Sequence, residues 1–403
     1  MENSLTWWLG AMFIPTITMF GVIGNILTVI VLSRKPQRRH FRPESYPMIS
    51  MSSRLHRSSS SSTDPYAPQE CPSSTRSDTQ CSTSNGRHQS PVSQPSSSSP
   101  DDGTYLPPLT TRFLLKALAV VDSFILLWPC FIQWTVRLSS GSSIFDRLDT
   151  FCKIGTFFNY FLLQLSPWLL VLVTIDRVYN IAFPTFSLKT PLTQTHVKRL
   201  FIVTMLILAL LNSYMLFGLN LRLEKEMSNT PYENATNASS PQSDWKCYPK
   251  DSFKYFVISV WSWIDFAVAF GLPCGIIVLG NVLVFRKMKS SENFRSRYAH
   301  GGIIASEKWA KVSAILGISF IVLVMPLVVF QIGGEYWFTG NPDLELKQTF
   351  DTLRLVFTLL LYTNSAINFV MYMLLGSPKL RQQFVKPLHD CKKIICKCTS
   401  TDE

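Results

Sequence analysis

The sequence contains seven long apolar stretches, separated by polar segments of very different lengths. Each stretch reaches roughly 20 residues or more, the length at which an α-helix crosses the hydrocarbon core of a bilayer. Backbone N–H and C=O groups in lipid have to be satisfied within the segment, so helices are the expected form. The pattern predicts an all-α membrane protein built as a seven-helix bundle. The stretches cover residues 7–33, 112–137, 150–178, 197–219, 254–287, 309–332 and 349–375.

Charged residues are few and lie mainly beside the apolar stretches. They make up 16% of the 403 residues, against about 25% in a soluble domain. The net charge is +12, but the basic residues flank the apolar stretches and do not line one face. Nucleic acid is therefore not an expected partner. Segments 286–311 and 376–403 hold seven and six Lys or Arg, whereas 333–352 holds only Lys347 with four acids. The positive-inside rule places the first two segments in the cytoplasm and the third outside.

The expected orientation puts the N-terminus outside the cell and the C-terminus inside. The first apolar run begins near Leu5 with no charged region before it, so no cleavable signal peptide is expected. Asn234 and Asn237 each open an Asn-x-Ser/Thr acceptor for glycosylation, which favours an extracellular position for segment 220–253. Because the chain crosses the membrane seven times, its two termini lie on opposite sides. The sequence therefore predicts a multi-pass protein of the plasma membrane.

Segment 34–111, between the first two stretches, is rich in Ser, Pro and Thr. Such a composition buries too little apolar area to offset the entropy of ordering, so we expect a long disordered intracellular loop. Three interpretations stay open: a tolerated insertion, a phosphorylated regulatory segment that gates partner binding, or an error in the gene structure. The predicted organisation is 1–33 for the N-terminus and first helix, 34–111 for this loop, 112–375 for helices two to seven, and 376–403 for the tail.

The tail after the seventh stretch predicts a short amphipathic helix. Leu380, Phe384 and Val385 fall on one helical face with basic residues elsewhere, which suits the inner leaflet of the membrane. Three cysteines follow among lysines and are candidates for palmitoylation or, alternatively, reduced surface thiols. Their spacing lacks a full set of ligands for zinc. They are Cys391, Cys396 and Cys398.

Six of the seven stretches carry short motifs that follow one another in a fixed order. The motifs are Gly24-Asn25, Leu118 to Asp122, Cys152, Asp176-Arg177-Val178-Tyr179, Pro273, Phe320 with Pro326, and Asn368 to Tyr372. In that order and spacing the chain resembles a rhodopsin-like (class A) G-protein-coupled receptor, over its whole length apart from 34–111. Residues 364–369 (Asn-Ser-Ala-Ile-Asn-Phe) are also similar to invertebrate peptide receptors, including FMRFamide-type ones.

Asp122 is a carboxylate in mid-membrane, where a charge is costly and therefore functional by default. The resemblance implies a sodium site with Ser166, Asn364 and Asn368, whose oxygens suit a hard cation, and with Asn25 tied to the cluster. The alternative is a hydrogen-bonded polar core that only holds the helices together. No other cofactor is expected.

The resemblance makes Arg177 the switch for G-protein coupling, together with Asp176, Tyr179, Asn368 and Tyr372. At rest Arg177 is expected to pair with Asp176, and on activation to contact the G protein. The glutamate usual on the sixth helix is replaced by Ser306, with Glu307 as its neighbour. A weaker lock between helices and some basal signalling are therefore expected.

The resemblance also implies a disulfide between Cys152 and Cys247, formed by oxidation on the secreted side. Several positions depart from the family pattern and affect the expected switching mechanism. Val324 stands where most relatives have tryptophan, Phe369 where they have proline, and Asn281 where they have tyrosine; the fourth stretch holds no tryptophan.

Two ligand classes are disfavoured by single residues. Asn159 occupies the position of the aspartate that binds amines in similar receptors, and Tyr362 that of the lysine that binds retinal. Asp265 is expected either to pair with a basic group of the ligand, such as the arginine of an amidated peptide, or to pair internally with Arg354. The candidate ligand-binding residues are Gln133, Trp134, Asn159, Tyr160, Trp263, Asp265, Gln331, Arg354 and Tyr362.

These patterns predict a receptor that transmits an extracellular signal, most simply a neuropeptide, to heterotrimeric G proteins. Arrestin and receptor kinases are further possible partners, and membrane lipid surrounds the bundle. The main alternative is a transporter or channel without G-protein coupling, although no internal repeat supports it. An enzyme is not expected, because the sequence shows no nucleophile set, HExxH motif or phosphate-binding loop.

Overall fold

A computed structural model of the chain describes residues 4–34, 106–138, 148–183, 187, 189–223, 245–295, 301–337, 344–376 and 380–385. Within these residues, seven helical spans are long and apolar enough to cross a membrane. The predicted all-α, seven-helix membrane fold is therefore confirmed. In chain order, spans 1 to 7 are Trp7–Ser33, Leu109–Thr135, Asp149–Ala182, Gln194–Gly218, Asp251–Ser290, Lys308–Gly333 and Gln348–Leu375.

The described residues form α-helices, three π-helical turns and one β-hairpin. The α-helices are Ser4–Ser33, Leu109–Leu127, Pro129–Leu138, Asp149–Arg177, Gln194–Asn212, Met215–Gly218, Asp251–Tyr255, Ser262–Phe266, Leu272–Arg295, Gly301–Trp337 and Leu344–Leu375. The π turns are Val178–Ala182, Phe256–Trp261 and Ala267–Gly271. The strands are β1, Leu219–Leu223, and β2, Trp245–Pro249.

Span 2 begins earlier than the apolar stretch predicts, at Leu109 rather than at residue 112. Pro107 and Pro108 precede it, and Arg112 closes the first turn with its backbone N–H on Pro108 O at 2.9 Å. The Arg112 side chain also donates from Nε to Pro107 O at 3.0 Å. Residues 109–111 therefore belong to the helix and not to the loop, because proline at a helix start leaves no N–H unsatisfied.

Span 5 changes its helical pitch before Pro273. The π turn Ala267–Gly271 lies directly ahead of this proline, which has no N–H and presses on the turn before it. A wider turn relieves that clash, so the predicted proline irregularity takes the form of a π bulge. Span 2 is similarly interrupted at Trp128, where Pro129 starts a new helix.

The hairpin β1–β2 is antiparallel, with Leu221 opposite Cys247. It is fastened at two further points: Leu221 donates its N–H to Asp149 Oδ1 at 3.1 Å, and Arg222 pairs with Asp251 at 2.9 Å. The hairpin is thus held against the starts of spans 3 and 5.

The bundle has apolar side chains outside and polar side chains inside. On span 4, Leu206, Ile207 and Leu210 are 60–76% exposed, as expected of residues that face lipid. Asn25, Asp122 and Gln164 are fully buried. This arrangement suits a protein whose solvent is the bilayer, because polar groups gain their hydrogen bonds only between helices.

Residues 380–385 form a further helical segment beyond span 7. Leu380 and Phe384 are buried and belong to the main apolar core, whereas Val385 is exposed. Only two of the three predicted apolar residues therefore face the bundle.

Candidate functional site

The carboxylate of Asp122 lies at the centre of a buried polar cluster between spans 2, 3 and 7. Ser166 Oγ donates to Asp122 Oδ1 at 2.8 Å, and Asn368 Nδ2 donates to Oδ2 at 2.6 Å. Both carboxylate oxygens thus have a partner from another helix. The spacing of polar residues in three apolar stretches could not have specified which oxygen each one meets.

Asn25 reaches this cluster through the backbone of span 7. Its Nδ2 donates to Ser365 O at 3.1 Å, while its Oδ1 is buried with no partner among the described residues. Asn364 is buried nearby and makes no side-chain hydrogen bond within the described part of the chain. The carboxylate, the hydroxyl and these unpaired amide groups fit a hard cation such as sodium chemically, and they equally form a polar core.

Arg177 and Asp176 are neighbours in span 3 that do not pair, so the expected resting ion pair is wrong for this structure. Asp176 Oδ2 instead accepts from Thr111 Oγ1 at 2.5 Å, and its Oδ1 accepts from Asn180 Nδ2 at 3.2 Å. The three guanidinium nitrogens of Arg177 are buried with no hydrogen-bond partner among the described residues. Thr111 on span 2 is therefore a hydrogen-bond partner of the Asp176 carboxylate, which was expected to pair with Arg177.

The other predicted switch residues have different surroundings. Tyr179 contacts Thr190 through its hydroxyl, with 2.9 Å between Tyr179 Oη and Thr190 Oγ1. Tyr372 is buried, and its hydroxyl finds no partner among the described residues. The ring of Trp309 lies 6.5 Å from that of Tyr372, so it contacts the end of span 7 from the start of span 6.

At the end of the bundle where span 3 begins, Cys152 and Cys247 form a disulfide with their Cα atoms 5.5 Å apart. The bridge joins the start of span 3 to strand β2. Met215, Leu219 and Trp261 form a small apolar cluster with Cys152. The hairpin is therefore part of this end of the bundle rather than a free loop.

A chain of amides that sequence reasoning missed lies below this end. Asp265 Oδ1 accepts from Gln164 Nε2 at 2.8 Å, and Gln164 Oε1 accepts from Asn212 Nδ2 at 2.7 Å. Spans 3, 4 and 5 each contribute one residue. The signal was present, since each amide interrupts an apolar stretch where unpaired polar groups are costly.

The structure contradicts one of the two alternatives for Asp265, the internal pair with Arg354. It makes no ion pair with Arg354, whose side chain is exposed, and Gln164 is its hydrogen-bond partner instead. Tyr362 is 3% exposed and packs in the apolar core, which leaves little surface for a ligand.

The remaining candidate ligand-binding residues vary in exposure. Asn159 and Tyr160 are half-buried, whereas Gln133 and Gln331 are exposed. Trp263 is also exposed, and Trp134 donates its Nε1 to Ala11 O of span 1 at 3.2 Å. Some candidates lie outside the described residues: Asn234, Asn237, Cys391, Cys396, Cys398, and the side chains of Ser306 and Glu307.

Comparison with protein families gives one match, to "7 transmembrane receptor (rhodopsin family)", over residues 108–372. The chain belongs to this family. The match begins where span 2 begins and ends at Tyr372, so it includes Asp122, Arg177 and both bridged cysteines. Comparison with curated proteins gives no significant match.

Family membership establishes what kind of molecule this is. A rhodopsin-family receptor binds a ligand and signals through G proteins, so the protein is a signalling receptor and not an enzyme. The transporter or channel alternative is not favoured. The receptor is a multi-pass membrane protein with seven spans.

Proposed function

We propose that the receptor is activated at the plasma membrane by an extracellular peptide, with its N-terminus outside and its C-terminus in the cytoplasm. The observation that carries this proposal is the β1–β2 hairpin, bridged to span 3 at Cys152 and held above a polar interior. A hairpin fixed in this way offers backbone and side-chain contacts to a peptide that enters between the spans. Asn159, Tyr160 and Asp265 are the half-buried polar residues beneath it.

The proposed signal is a shift in population between two arrangements of the spans. A ligand that binds the active arrangement better, by a few kcal/mol, moves the equilibrium toward it. Span 6 contains Pro326, where the helix can bend outward. The inner cleft would then expose Arg177, which makes no hydrogen bond to the described residues and is available to a G protein.

Finer assignments belong to the same proposal. The similarity of residues 364–369 to invertebrate peptide receptors supports a neuropeptide, with FMRFamide-type peptides as the first class to try. Glycosylation at Asn234 and Asn237, and palmitoylation at Cys391, Cys396 and Cys398, agree with the proposed orientation. Arrestin and receptor kinases are proposed as partners of the cytoplasmic face.

The proposal is tested by a peptide-library screen in cells that express the receptor with a promiscuous G protein. At least one peptide pool is expected to give a response that Arg177→Ala abolishes while surface expression persists. Arg199→Ala is the matched control, because Arg199 is an exposed residue near the same side of the bundle. Full signalling by the Arg177 variant would contradict the mechanism, and silence across all pools would contradict the peptide ligand.

A further inference from the structure

The hydrogen bonds of Asn212, Gln164 and Asp265 all run in one direction. Asn212 Nδ2 donates to Leu208 O at 2.8 Å and to Gln164 Oε1 at 2.7 Å, so its amide orientation is set by a backbone carbonyl. Gln164 must then present its Nε2 to Asp265. A main-chain carbonyl can only accept a hydrogen bond, so the Asn212 amide cannot turn round. Each amide of the chain therefore donates an N–H to the next residue, and the last N–H points at the Asp265 carboxylate.

This polarity acts on the charge of Asp265. Among the described residues, the neighbour that bonds the Asp265 carboxylate is an N–H donor, and the Gln164 carbonyl is already occupied by Asn212. The Gln164 N–H favours the anionic carboxylate, whereas burial opposes it unless a cation is close. Gln164 and Asn212 are both fully buried, so water does not substitute for either bond.

The carboxylate has no cation beside it in the described part of the receptor. No Lys, Arg or His nitrogen of the described residues lies within 4.0 Å of Asp265. Its second oxygen, Oδ2, accepts no hydrogen bond there either. Since an unneutralised charge inside a membrane bundle is costly, the site favours a cation from outside the chain.

Three aromatic rings lie one turn above the amides on the same spans. Trp261 packs 6.2 Å from Tyr160 and 4.5 Å from Tyr214 between ring centroids. Trp261 is 4% exposed and its Nε1 has no partner among the described residues. Aromatic faces attract cations, so the rings and the carboxylate favour the same kind of guest.

We propose that Asp265 is the anionic end of a cation subsite between spans 3, 4 and 5, for a guanidinium or ammonium group of the ligand. Gln164 and Asn212 are its positioning residues, whose hydrogen bonds orient the carboxylate. This inference rests on the proposed peptide function in one respect, the identity of the ligand that carries the cation.

The subsite itself is tested without a ligand, by thiol labelling of the purified receptor in nanodiscs. The background replaces every cysteine outside the disulfide by serine: Cys71, Cys81, Cys130, Cys274, Cys391, Cys396 and Cys398. Tyr160→Cys in this background places a single thiol one turn above Gln164. The probes are a cationic and an anionic methanethiosulfonate, ethylammonium and ethylsulfonate, and the rates are followed by mass spectrometry. The ratio of cationic to anionic rates is expected to fall about tenfold on adding Asp265→Asn, because a nearby carboxylate attracts one reagent and repels the other.

The positioning residues are tested in the same assay. Gln164→Leu should lower the ratio nearly as far as Asp265→Asn, and Asn212→Leu should lower it less, since it leaves the Gln164 amide in place but unoriented. Thr204→Val is the matched control, because Thr204 bonds only within span 4, to Leu200 O at 2.9 Å. A ratio unchanged by Asp265→Asn overturns the subsite, and a ratio unchanged by Gln164→Leu overturns the positioning role.

The ligand's cation is tested with pairs of amidated peptides that differ only by arginine or citrulline, its neutral isostere. Any peptide that activates the receptor should lose at least tenfold in potency as the citrulline form, and that loss should vanish in Asp265→Asn. Equal potency of the two forms overturns the assignment. If no peptide of either kind activates the receptor, the peptide proposal fails, while the labelling ratio still decides the subsite.

Discussion

At the scale of single residues, the surroundings of Arg177 differ most from the expected switch. Its guanidinium is buried without a hydrogen-bond partner among the described residues, while the adjacent carboxylate bonds Thr111 and Asn180. An unpaired buried guanidinium destabilises the arrangement that contains it. The resting receptor is therefore biased toward arrangements in which Arg177 gains a partner, such as a G protein.

Thr111→Val should lower ligand-independent signalling by about two- to fivefold, because one lost hydrogen bond of about 1 kcal/mol frees the Asp176 carboxylate for Arg177. The measurement is nucleotide exchange on a G protein in membranes without ligand. Thr110→Val is the control, since Thr110 is also buried but makes no such bond to Asp176. Unchanged or higher basal exchange in the Thr111 variant would refute this account.

The polar cluster at Asp122 supports a second prediction at this scale. If the cluster holds sodium, replacing choline by sodium at constant ionic strength should raise the melting temperature of the purified receptor by about 2 °C or more. Asp122→Asn should remove the effect, whereas Ser123→Ala should keep it, because Ser123 bonds only Ala119 O in its own helix at 2.8 Å. Equal melting temperatures in both salts would leave the cluster as a purely structural polar core.

At the scale of helices, spans 1 and 7 approach closely at Gly24. A Cβ added there would lie 2.1 Å from Phe369 Cδ1, so glycine is required for this contact. The Phe369 ring also packs 5.1 Å from that of Phe20. Phe369, which replaces the usual proline, thus fills the space between the two helices, and the departure has a packing role.

Gly24→Ala should destabilise the receptor by about 1–3 kcal/mol through overpacking, seen as a lower melting temperature in detergent. Phe369→Ala should largely rescue it, so that the double variant loses less than the two single losses combined. Gly275→Ala is the control, because an added Cβ there meets nothing within 4 Å. Strictly additive losses would argue against a direct contact.

At the scale of the whole molecule, a covalent link organises the end of the bundle that carries the hairpin. The Cys152–Cys247 bridge spans 95 positions of sequence and joins span 3 to the hairpin. Two polar contacts, to Asp149 and Asp251, orient the same hairpin. Because both contacts are exposed, they contribute little by themselves, and the disulfide carries most of the constraint.

Cys152→Ser and Cys247→Ser should each weaken the response to an activating peptide by tenfold or more, and the double variant should be no worse than either. Closing a loop of this size contributes about 4.7 kcal/mol in the chain-entropy model. The readout is peptide potency in cells, normalised to surface expression, with Cys274→Ser as the control because Cys274 is a free cysteine. Unaltered potency in the single variants would show that the hairpin needs no bridge.

Sequence reasoning recognised the inward-facing residues better than their partners. The family resemblance grouped Asp122 with Ser166 and Asn368, and hydrogen bonds join the three in the structure. The resemblance also paired Asp176 with Arg177, whereas Asp176 bonds Thr111, which lies 65 positions away in the sequence. Asp265 was assigned to Arg354 or a ligand, while Gln164 and Asn212 were overlooked as ordinary polar residues of their helices.

The sequence by itself determined that this protein crosses the membrane seven times as helices and belongs among receptors. Lipid requires each apolar stretch to satisfy its own backbone, and that requirement depends only on composition and length. Only the tertiary structure decided which polar side chain meets which. Helical periodicity says that a residue points inward, but the packing of neighbouring helices selects its hydrogen-bond partner, as Asn212, Gln164 and Asp265 demonstrate.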